Sequence, residues 1–234
     1  MTPHKQKILL LDNGREWGGG TNSMLELLKR IDRNQFDITC CFYHNYSRGN
    51  DETIEQTLGS LAIPVTFIPQ RRQPLWAKIS KEIVRTLLFF SKERRKKAVN
   101  VVDRRWRIIP NAHKIGELLQ AGQFDLLYMN NQPSTNTEGY LAARPLEIPV
   151  VQHCRIDPML NRQLVTMLNR DCKAIICVSH GVSHTLQRHG VHHHLCHTVS
   201  NAIDIHQPLP DRTAVRQALQ IAPETFVFCS IGSL

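Results

Sequence analysis

The chain has 234 residues, 41% of them hydrophobic, and a formal net charge of +9. This apolar content is ordinary for a globular protein, and no window approaches the roughly 20 apolar residues that a membrane-spanning helix requires. The amino terminus has too few apolar residues for a signal peptide, and the seven cysteines are irregularly spaced, as free thiols are. We therefore expect a cytoplasmic globular protein whose thiols are free and mostly buried.

Strand-like and helix-like segments alternate along the chain. Short apolar, often β-branched runs predict strands at residues 8–11, 38–43, 65–68, 126–129, 150–152, 174–178, 197–200 and 226–231. Helical spacing of apolar residues predicts helices at residues 22–31, 51–61, 75 to about 102, 112–120, 135–143, 158–169, 179–189 and 212–219. This alternation predicts an α/β fold in which helices cover both faces of a parallel sheet.

The first predicted strand-to-helix turn contains three consecutive glycines, Gly18, Gly19 and Gly20, followed by Thr21. In an open parallel sheet this turn is the usual phosphate site, because glycines let backbone amides approach an anion and the helix amino terminus adds a positive dipole end. The turn lacks the spacing of a dinucleotide fingerprint and the lysine of a P-loop. We interpret it as a cradle for a phosphate or carboxylate; the alternative is that the glycines only make a tight turn.

Residues 71–107 hold thirteen lysines and arginines against three acidic residues, which leaves the rest of the chain close to neutral. An apolar stripe at helical spacing runs through this segment, formed by Trp76, Ile79, Ile83, Leu87 and Phe90. The densest basic cluster is formed by Arg94, Arg95, Lys96 and Lys97. A basic amphipathic helix of this kind can lie on an anionic membrane surface.

This basic segment has two other interpretations. The stripe can instead pack on the sheet while the charges face solvent, because every surface helix of an α/β domain carries such a stripe. Nucleic acid is a third possible partner, which we rank last because the run has few interleaved aromatic residues and no groove-reading motif.

Polar residues follow three later predicted strands. His153 comes just past the strand at 150–152, Ser179 ends the strand at 174–178, and Asn201 and Asp204 follow the strand at 197–200. Because the carboxyl ends of parallel strands meet at one edge of a sheet, these residues can share a site with the glycine turn. Each also has a structural alternative: a hydrogen-bonded histidine, a helix cap at Ser179 and a turn of the chain at Asn201.

Residues 189–197, with the sequence HGVHHHLCH, contain imidazole and thiol groups of the kind that bind zinc. Adjacent residues of an extended chain point to opposite sides, however, and the sequence offers no second cysteine or histidine element as a partner. We predict a surface loop at this place and no metal site.

Taken in order, these motifs resemble those of the family-4 retaining glycosyltransferases of the GT-B fold. The similarity lies in the glycine turn after the first strand, in IPVVQH, VSHGVSHTL and SNAID, and in a following helix and FVFCSIGSL. It implies that residues 1–205 form an amino-terminal, acceptor-side Rossmann-like domain with a doubly wound sheet, and that residues 206–234 form a linker and the first strand of a nucleotide-sugar domain. The donor-binding basic pair and glutamates of that domain would lie beyond Leu234, so we expect no sugar transfer by this chain alone.

The resemblance also implies roles for individual residues. The amides of the three glycines would meet the donor diphosphate across the cleft, and His153 would lie against the donor sugar near the reacting centre. Asn22 stands where the family commonly has an acidic residue, and Asn201-Ala202 stands where the family has Asn-Gly. Together with Thr21 and Ser179, these residues form the predicted cleft.

The predicted function is therefore transfer of a hexose-like sugar from a nucleotide sugar to a glycan or lipid-linked acceptor, in cell-envelope or polysaccharide synthesis. The nucleotide sugar is a substrate, and no cofactor is expected. The predicted location is cytoplasmic, peripheral to the inner face of the membrane. The alternative is a noncatalytic Rossmann-like module that binds a nucleotide or a phosphate.

Overall fold

A computed structural model describes residues 5–14, 17–49, 52–70, 74–87, 89, 91, 98–99, 101–202, 206 and 208–230. Its contacts divide the chain into two compact units, Met1–Asn201 and Ala202–Leu234. This division lies close to the boundary at residue 205 that the sequence predicts. The assignment of the second unit to a nucleotide-sugar domain stays a prediction.

The described residues form nine strands. They are β1 (Gln6–Asp12), β2 (Phe36–Phe42), β3 (Ser47–Arg48), β4 (Glu52–Thr53), β5 (Val65–Phe67), β6 (Leu126–Met129), β7 (Val150–Cys154), β8 (Cys172–Cys177) and β9 (Cys196–Thr198). Seven of them form one parallel sheet in the order β5-β2-β1-β6-β7-β8-β9, while β3 and β4 form a separate antiparallel pair. The chain adds β2 and β5 on one side of β1 and then crosses to β6 on the other, so the sheet is doubly wound.

Eight α-helices have both ends in the described part of the chain, and residues 98–99 and 101–103 are helical as well. The eight helices are α1 (Gly19–Arg30), α2 (Ile54–Ser60), α3 (Leu75–Leu87), α4 (Ile109–Ala121), α5 (Thr137–Ala143), α6 (Arg162–Asp171), α7 (His180–Arg188) and α8 (Arg212–Ala218). A π-helical turn, Arg104–Ile108, runs directly into α4. None of the described helices combines the length and apolar character needed to cross a bilayer.

Two hydrophobic cores lie on opposite faces of the sheet. Alternate residues of β1 point to opposite faces, so that Ile8 and Leu10 enter one core while Leu9 and Leu11 enter the other. Helices α1 and α2 close the first core, and helices α4 to α7 close the second. The predicted α/β fold with a covered parallel sheet, of the Rossmann-like kind, is confirmed. The seven cysteines are free, and five of them are buried.

Two local differences from the predicted elements have clear causes. The helix expected from residue 51 begins at Ile54, because Thr53 forms a capping box with Gln56, in which each side chain bonds the other residue's backbone amide. Helix α1 begins at Gly19, ahead of the predicted start at residue 22. The glycines therefore form the amino terminus of the helix itself.

The strand predicted at residues 226–231 is wrong for the residues that the structure describes. Residues 226–230 have no strand pairing, and the side chains of Phe226 and Phe228 are 80% and 92% exposed. Alternation of apolar residues predicts a strand, but a strand forms only where a neighbouring strand can share hydrogen bonds with it. The described part of the second unit contains helix α8 and no strand that could serve as this neighbour.

Adjacent leucines of α1 offer a test of this packing. Leu28 is completely buried, whereas Leu27 is 39% exposed. We expect Leu28→Ala to lower the free energy of unfolding by about 2–5 kcal/mol, because it leaves a cavity between α1 and the sheet. Leu27→Ala should lower it by less than about 1 kcal/mol. Urea unfolding followed by circular dichroism measures both, and equal losses would contradict the assigned face of α1.

Candidate active site

The candidate site lies at the carboxyl edge of the sheet, where the strand order reverses. Strand β1 pairs with β2 on one side and with β6 on the other, and β7 lies next to β6. The residues at these strand ends are Asp12 in the last position of β1, Asn130 directly after β6 and Arg155 directly after β7. His153 is the second-last residue of β7, because this strand runs on to Cys154 and not only to residue 152. In open α/β sheets, ligands bind in the crevice at such a reversal.

A buried carboxylate holds the loops of this edge together. Asp12 is 7% exposed, and its oxygens accept hydrogen bonds from the Gly14 amide at 3.1 Å, from Asn130 Nδ2 at 2.6 Å and from Asn131 Nδ2 at 2.8 Å. A buried charge is costly unless such donors surround it. The loops after β1 and β6 are therefore tied to each other through one side chain.

Arg155 extends this network to helix α1. Its Nη2 donates to Asn130 Oδ1 at 2.7 Å, and its Nη1 donates to Ser23 Oγ at 2.6 Å. Asn201 Oδ1 accepts from Ser23 Oγ at 2.8 Å and lies 3.5 Å from Arg155 Nη1. Burial lowers the pKa of the Arg155 guanidinium, which nevertheless stays charged at neutral pH. The site therefore holds a fixed, partly buried positive charge.

This charge lies beside the glycine turn. A Cβ atom added to Gly20 would lie 3.6 Å from Arg155 Cδ, whereas one added to Gly18 or Gly19 would meet no atom of the described residues within 4 Å. Gly18 has ordinary extended backbone angles, and the left-handed glycine of this region is Gly14, with φ of +59°. The chain's own packing and backbone thus do not require glycine at positions 18 and 19. Their bare backbone leaves open space in front of α1.

The amino terminus of α1 has the character of an anion site. The first hydrogen bond of the helix runs from the Asn22 amide to the Gly18 carbonyl at 3.1 Å, so the amides of Gly19 and Gly20 precede it. Amides in this position have no acceptor within a helix, and the helix dipole is positive there. Gly18 supplies no side-chain cap. A phosphate or carboxylate can take the place of the cap.

The next two residues of α1 anchor the turn. Thr21 is buried, and its hydroxyl lies 3.1 Å from the hydroxyl of Tyr46. Asn22 Oδ1 accepts a hydrogen bond from Trp17 Nε1 at 2.9 Å. Trp17 also contacts the Tyr46 ring edge-on. These contacts among side chains hold the glycine turn in place.

His153, at the same carboxyl edge of the sheet, is neutral because it is buried. The residue is 7% exposed, and its Nδ1 lies 2.5 Å from the hydroxyl of Tyr128. Burial, reinforced by the charge of Arg155, lowers the pKa of His153 to about 3, and burial raises the pKa of Tyr128 to about 12. A neutral phenol donates to Nδ1, which assigns the ring proton to Nε2. Nε2 is buried and has no protein partner within the described part of the chain, so its N–H can donate to a ligand.

The remaining predicted residues lie in different places. Ser179 caps α7, since its hydroxyl accepts from the Val182 amide at 3.2 Å. Asn201 joins the site through Ser23 and Arg155. The basic cluster at residues 94–97 lies outside the described residues. Within the described ranges, no group of three histidine, cysteine, aspartate or glutamate side chains is arranged to hold a metal ion.

Asp12, Asn130 and Arg155 are among the residues of this site that were not identified from the sequence. A signal for each was present, because an aspartate ends the first strand, two asparagines follow β6 and an arginine follows His153 by two positions. Charged and amide side chains at the carboxyl ends of neighbouring parallel strands are candidates for one site. Their mutual contacts, however, depend on which strands are neighbours.

The protonation of His153 gives a test by pH. Its pKa in the folded state is lower than in the unfolded chain, so the unfolded chain binds more protons between these two values. Stability should therefore fall as the pH drops from about 6.5 towards 3, and His153→Gln should make this fall shallower. Urea unfolding at a series of pH values measures the slope. A His153 proton resonance that titrates near pH 6.5 would contradict the assignment.

Comparisons with known proteins agree with this architecture. The family model described as Glycosyltransferase Family 4 matches residues 17–207. A glycosyltransferase from Rickettsia africae ESF-5 has a similar structure, with a TM-score of 0.63 and 12% identity over 94% of this chain and 51% of that protein. None of the curated proteins compared with the chain matches it.

Two further solved structures are similar. Alr3699/HepE from Anabaena, in complex with UDP and glucose, gives a TM-score of 0.61 and 19% identity over 92% of this chain and 50% of its own. The apo form of WaaB, a lipopolysaccharide outer core galactosyltransferase, gives a TM-score of 0.52 and 11% identity over 88% of this chain and 50% of WaaB. This chain thus spans about half the length of these proteins, and at such identities the likeness shows the fold, one half of GT-B. Because the family match covers most of its residues, the chain belongs to Glycosyltransferase Family 4.

Proposed function

We propose that this chain is the amino-terminal, acceptor-side half of a retaining glycosyltransferase that transfers a hexose-like sugar from a nucleotide-sugar donor. The acceptor is a glycan or a lipid-linked acceptor, and the pathway is cell-envelope or polysaccharide synthesis. One observation carries the proposal: the glycine turn at the start of α1 leaves open space beside the partly buried cation of Arg155. The family membership and the UDP and glucose of the Anabaena complex support it.

The donor diphosphate would lie against the start of α1. Its negative charge would be met by the amides of Gly19 and Gly20, by the helix dipole and by the guanidinium of Arg155. Charge on this group increases as the bond to the sugar breaks, so fixed donors at this place stabilise the transition state more than the bound substrate. Hydrogen bonds to Ser23 and Asn130 keep Arg155 in position before the substrate arrives.

His153 would contact the sugar of the donor. Its neutral imidazole offers the Nε2 proton to a sugar hydroxyl, and its low pKa keeps this donor uncharged at neutral pH. The hydrogen bond from Tyr128 fixes the tautomer and the ring orientation. His153→Ala should therefore lower kcat more than it raises KM for the donor.

A second Rossmann-like domain is needed to complete the donor site. The structures similar to this chain are about twice its length, and the site described here lies on Met1–Asn201 alone. We propose that the facing domain grips the nucleotide, so that Met1–Asn201 alone binds a nucleotide sugar weakly and does not transfer the sugar.

A methyl group at the glycine turn tests the donor site. Gly19→Ala adds a Cβ where the described residues have no atom within 4 Å, so the free energy of unfolding should stay the same or rise by up to about 1 kcal/mol. The same methyl should displace the diphosphate and lower kcat/KM of the complete glycosyltransferase by about tenfold or more. Steady-state transfer from the nucleotide sugar measures this loss.

Gly59→Ala is the matched control. Gly59 also lies in a helix, α2, where no atom of the described part of the chain comes within 4 Å of an added Cβ, but it is far along the chain from the turn. It should leave kcat/KM unchanged. Full activity of Gly19→Ala would contradict the phosphate role, and nucleotide binding without any transfer by the complete protein would favour the noncatalytic module.

We further propose that the protein is peripheral to a membrane, through helix α3. The apolar stripe of this helix faces solvent, with Trp76, Ile79, Ile83 and Leu87 each more than half exposed. The less exposed residues of α3, Ser80, Lys81 and Val84, lie beside this stripe and not within it. The interpretation that this stripe packs on the sheet is therefore wrong for α3.

The surroundings of α3 suit an anionic surface. The Trp76 and Trp106 rings meet edge-to-face, with centroids 4.5 Å apart, and Lys81 Nζ lies 3.0 Å from Asp103 Oδ1. These contacts join α3 to the π-helical turn and its arginines. A surface of this kind binds a bilayer in two ways: its apolar side chains enter the bilayer, and its basic side chains pair with acidic lipids. Each cation near the surface contributes about 1 kcal/mol to the binding free energy.

Two acidic substitutions on the stripe test this surface. Ile79→Glu with Ile83→Glu should abolish cosedimentation with vesicles of phosphatidylcholine and phosphatidylglycerol, because both side chains are exposed and would have to bury charge in the bilayer. The free energy of unfolding should stay within about 1 kcal/mol. Val215→Glu is the control, because it places the same charge at an exposed β-branched residue of a different helix, α8. Binding by the double variant, or binding indifferent to salt and lipid charge, would exclude the proposed role.

A further inference from the structure

A groove lies between the π-helical turn and the outer sides of α5 and α6. Its main part has a volume of about 530 Å³ and is lined by residues that include Val101, Arg104, Leu141, Thr166, Met167 and Arg170. A second part of about 270 Å³ shares Arg104, Leu141 and Met167 with it and adds Arg107. The two parts therefore form one groove, and its volume is in the range of pockets that hold small molecules.

The floor of this groove is apolar. Leu141 and Met167 are partly buried and pack on the core beneath α5 and α6, while Val101 on the rim is 67% exposed. Gln163 and Thr166 also line the groove, but Leu141, Met167 and Val101 offer no hydrogen bonds to the hydroxyl or phosphate groups of a sugar or a nucleotide. The floor suits a hydrocarbon chain.

The rim is positively charged. Arg104 and Arg107 come from the π-helical turn, and Asp103 next to them pairs with Lys81. At the other end Arg144 and Arg170 share the single carboxylate of Asp171, at 2.6 and 2.8 Å. Cations therefore outnumber carboxylates at both ends, and the groove is complementary to an anion that carries an apolar chain.

The groove connects two features already described. Ser134 and Asn161, which line its second part, belong to the loops after β6 and β7, the same loops that carry Asn130 and Arg155. On its other side Trp106 of the π-helical turn contacts Trp76 of α3. A ligand in the groove would thus extend from the proposed membrane surface to the carboxyl edge of the sheet.

We propose that this groove binds one phosphate-bearing lipid, with its hydrocarbon chain on Leu141 and Met167 and its phosphate at Arg104 and Arg107. The proposal rests on the proposed function and specifies its acceptor: a lipid phosphate or diphosphate whose sugar-receiving end reaches the candidate active site. Arginine is suited to this task, because its planar guanidinium binds phosphate oxygens in pairs.

Calorimetric titration with monomeric, short-chain phosphatidic acid tests the groove without any nucleotide sugar. We expect saturable binding of one lipid per chain. Arg104→Gln should weaken it about tenfold, as expected for loss of a charge-assisted bond to phosphate. Arg105→Gln is the matched control, since it removes the same charge from the same turn, but Arg105 lies over the Trp106 ring and does not line the groove. It should change the affinity less than about twofold.

A filling variant tests the apolar part. Thr166 is exposed on α6 and lines the groove, so Thr166→Trp should occupy the floor and weaken lipid binding about tenfold or more. Circular dichroism and the urea midpoint check that this variant folds, and Arg104→Gln tests the proposal independently if it does not. Inorganic phosphate should bind at least about tenfold more weakly than the lipid, because it lacks the chain.

Three results would overturn the proposal: no saturable binding, equal effects of Arg104→Gln and Arg105→Gln, or equal affinity for phosphate and lipid. The second would indicate a diffuse basic surface, and the third an anion site alone. Because the titration contains no donor, its failure would leave the glycine-turn site untouched. Failure of Gly19→Ala to reduce transfer would in turn leave the lipid titration unaffected.

Discussion

The buried carboxylate of Asp12 is the constraint on which the site depends. A charge that leaves water costs several kcal/mol unless donors surround it, so the loops after β1 and β6 must bring Gly14, Asn130 and Asn131 to this carboxylate. Asn130 uses its other end to accept from Arg155, which then reaches Ser23 of α1. One chain of hydrogen bonds thus orders three strand ends and the start of a helix.

This network places two kinds of hydrogen-bond donor at different points of the site, one charged and one neutral. The cation of Arg155 stands beside the amino terminus of α1, and the same cation helps burial to keep His153 neutral. The cation and the helix amino terminus suit a diphosphate, whereas the neutral imidazole N–H suits a hydroxyl group. The division follows from burial and distance within the edge, because a protonated, buried His153 beside the partly buried Arg155 would place two like charges close together.

The side of the molecule that carries α3 has a different physical character. Helices α5 and α6 bury Tyr140, Leu164 and Leu168 against the sheet and leave Leu141 and Met167 as the floor of the groove. Helix α3 turns its apolar stripe to solvent and its Lys81 towards Asp103. An apolar surface framed by arginines is costly in water and favourable at a lipid interface, where both parts find partners.

The sequence by itself determined the local features of this protein. Hydrophobic periodicity placed the seven strands of the sheet and most helices, and capping chemistry placed Ser179 at the start of α7. The glycine turn and His153 were found because, in an alternating pattern, the first follows a strand and the second lies near the end of one. Such signals depend only on residues a few positions apart, so they can be interpreted before the chain is folded.

Only the tertiary structure decided the contacts that make the site. Asp12 and Asn130 are distant in the chain, and they meet because β6 pairs with β1 on the side away from β2. An amphipathic stripe is compatible with burial or exposure, and the surroundings of α3 decided for exposure. Residues 226–230 have strand-like alternation and yet no partner strand among the described residues of their unit. Pairing, burial and charge proximity depend on which segments become neighbours, which local periodicity does not specify.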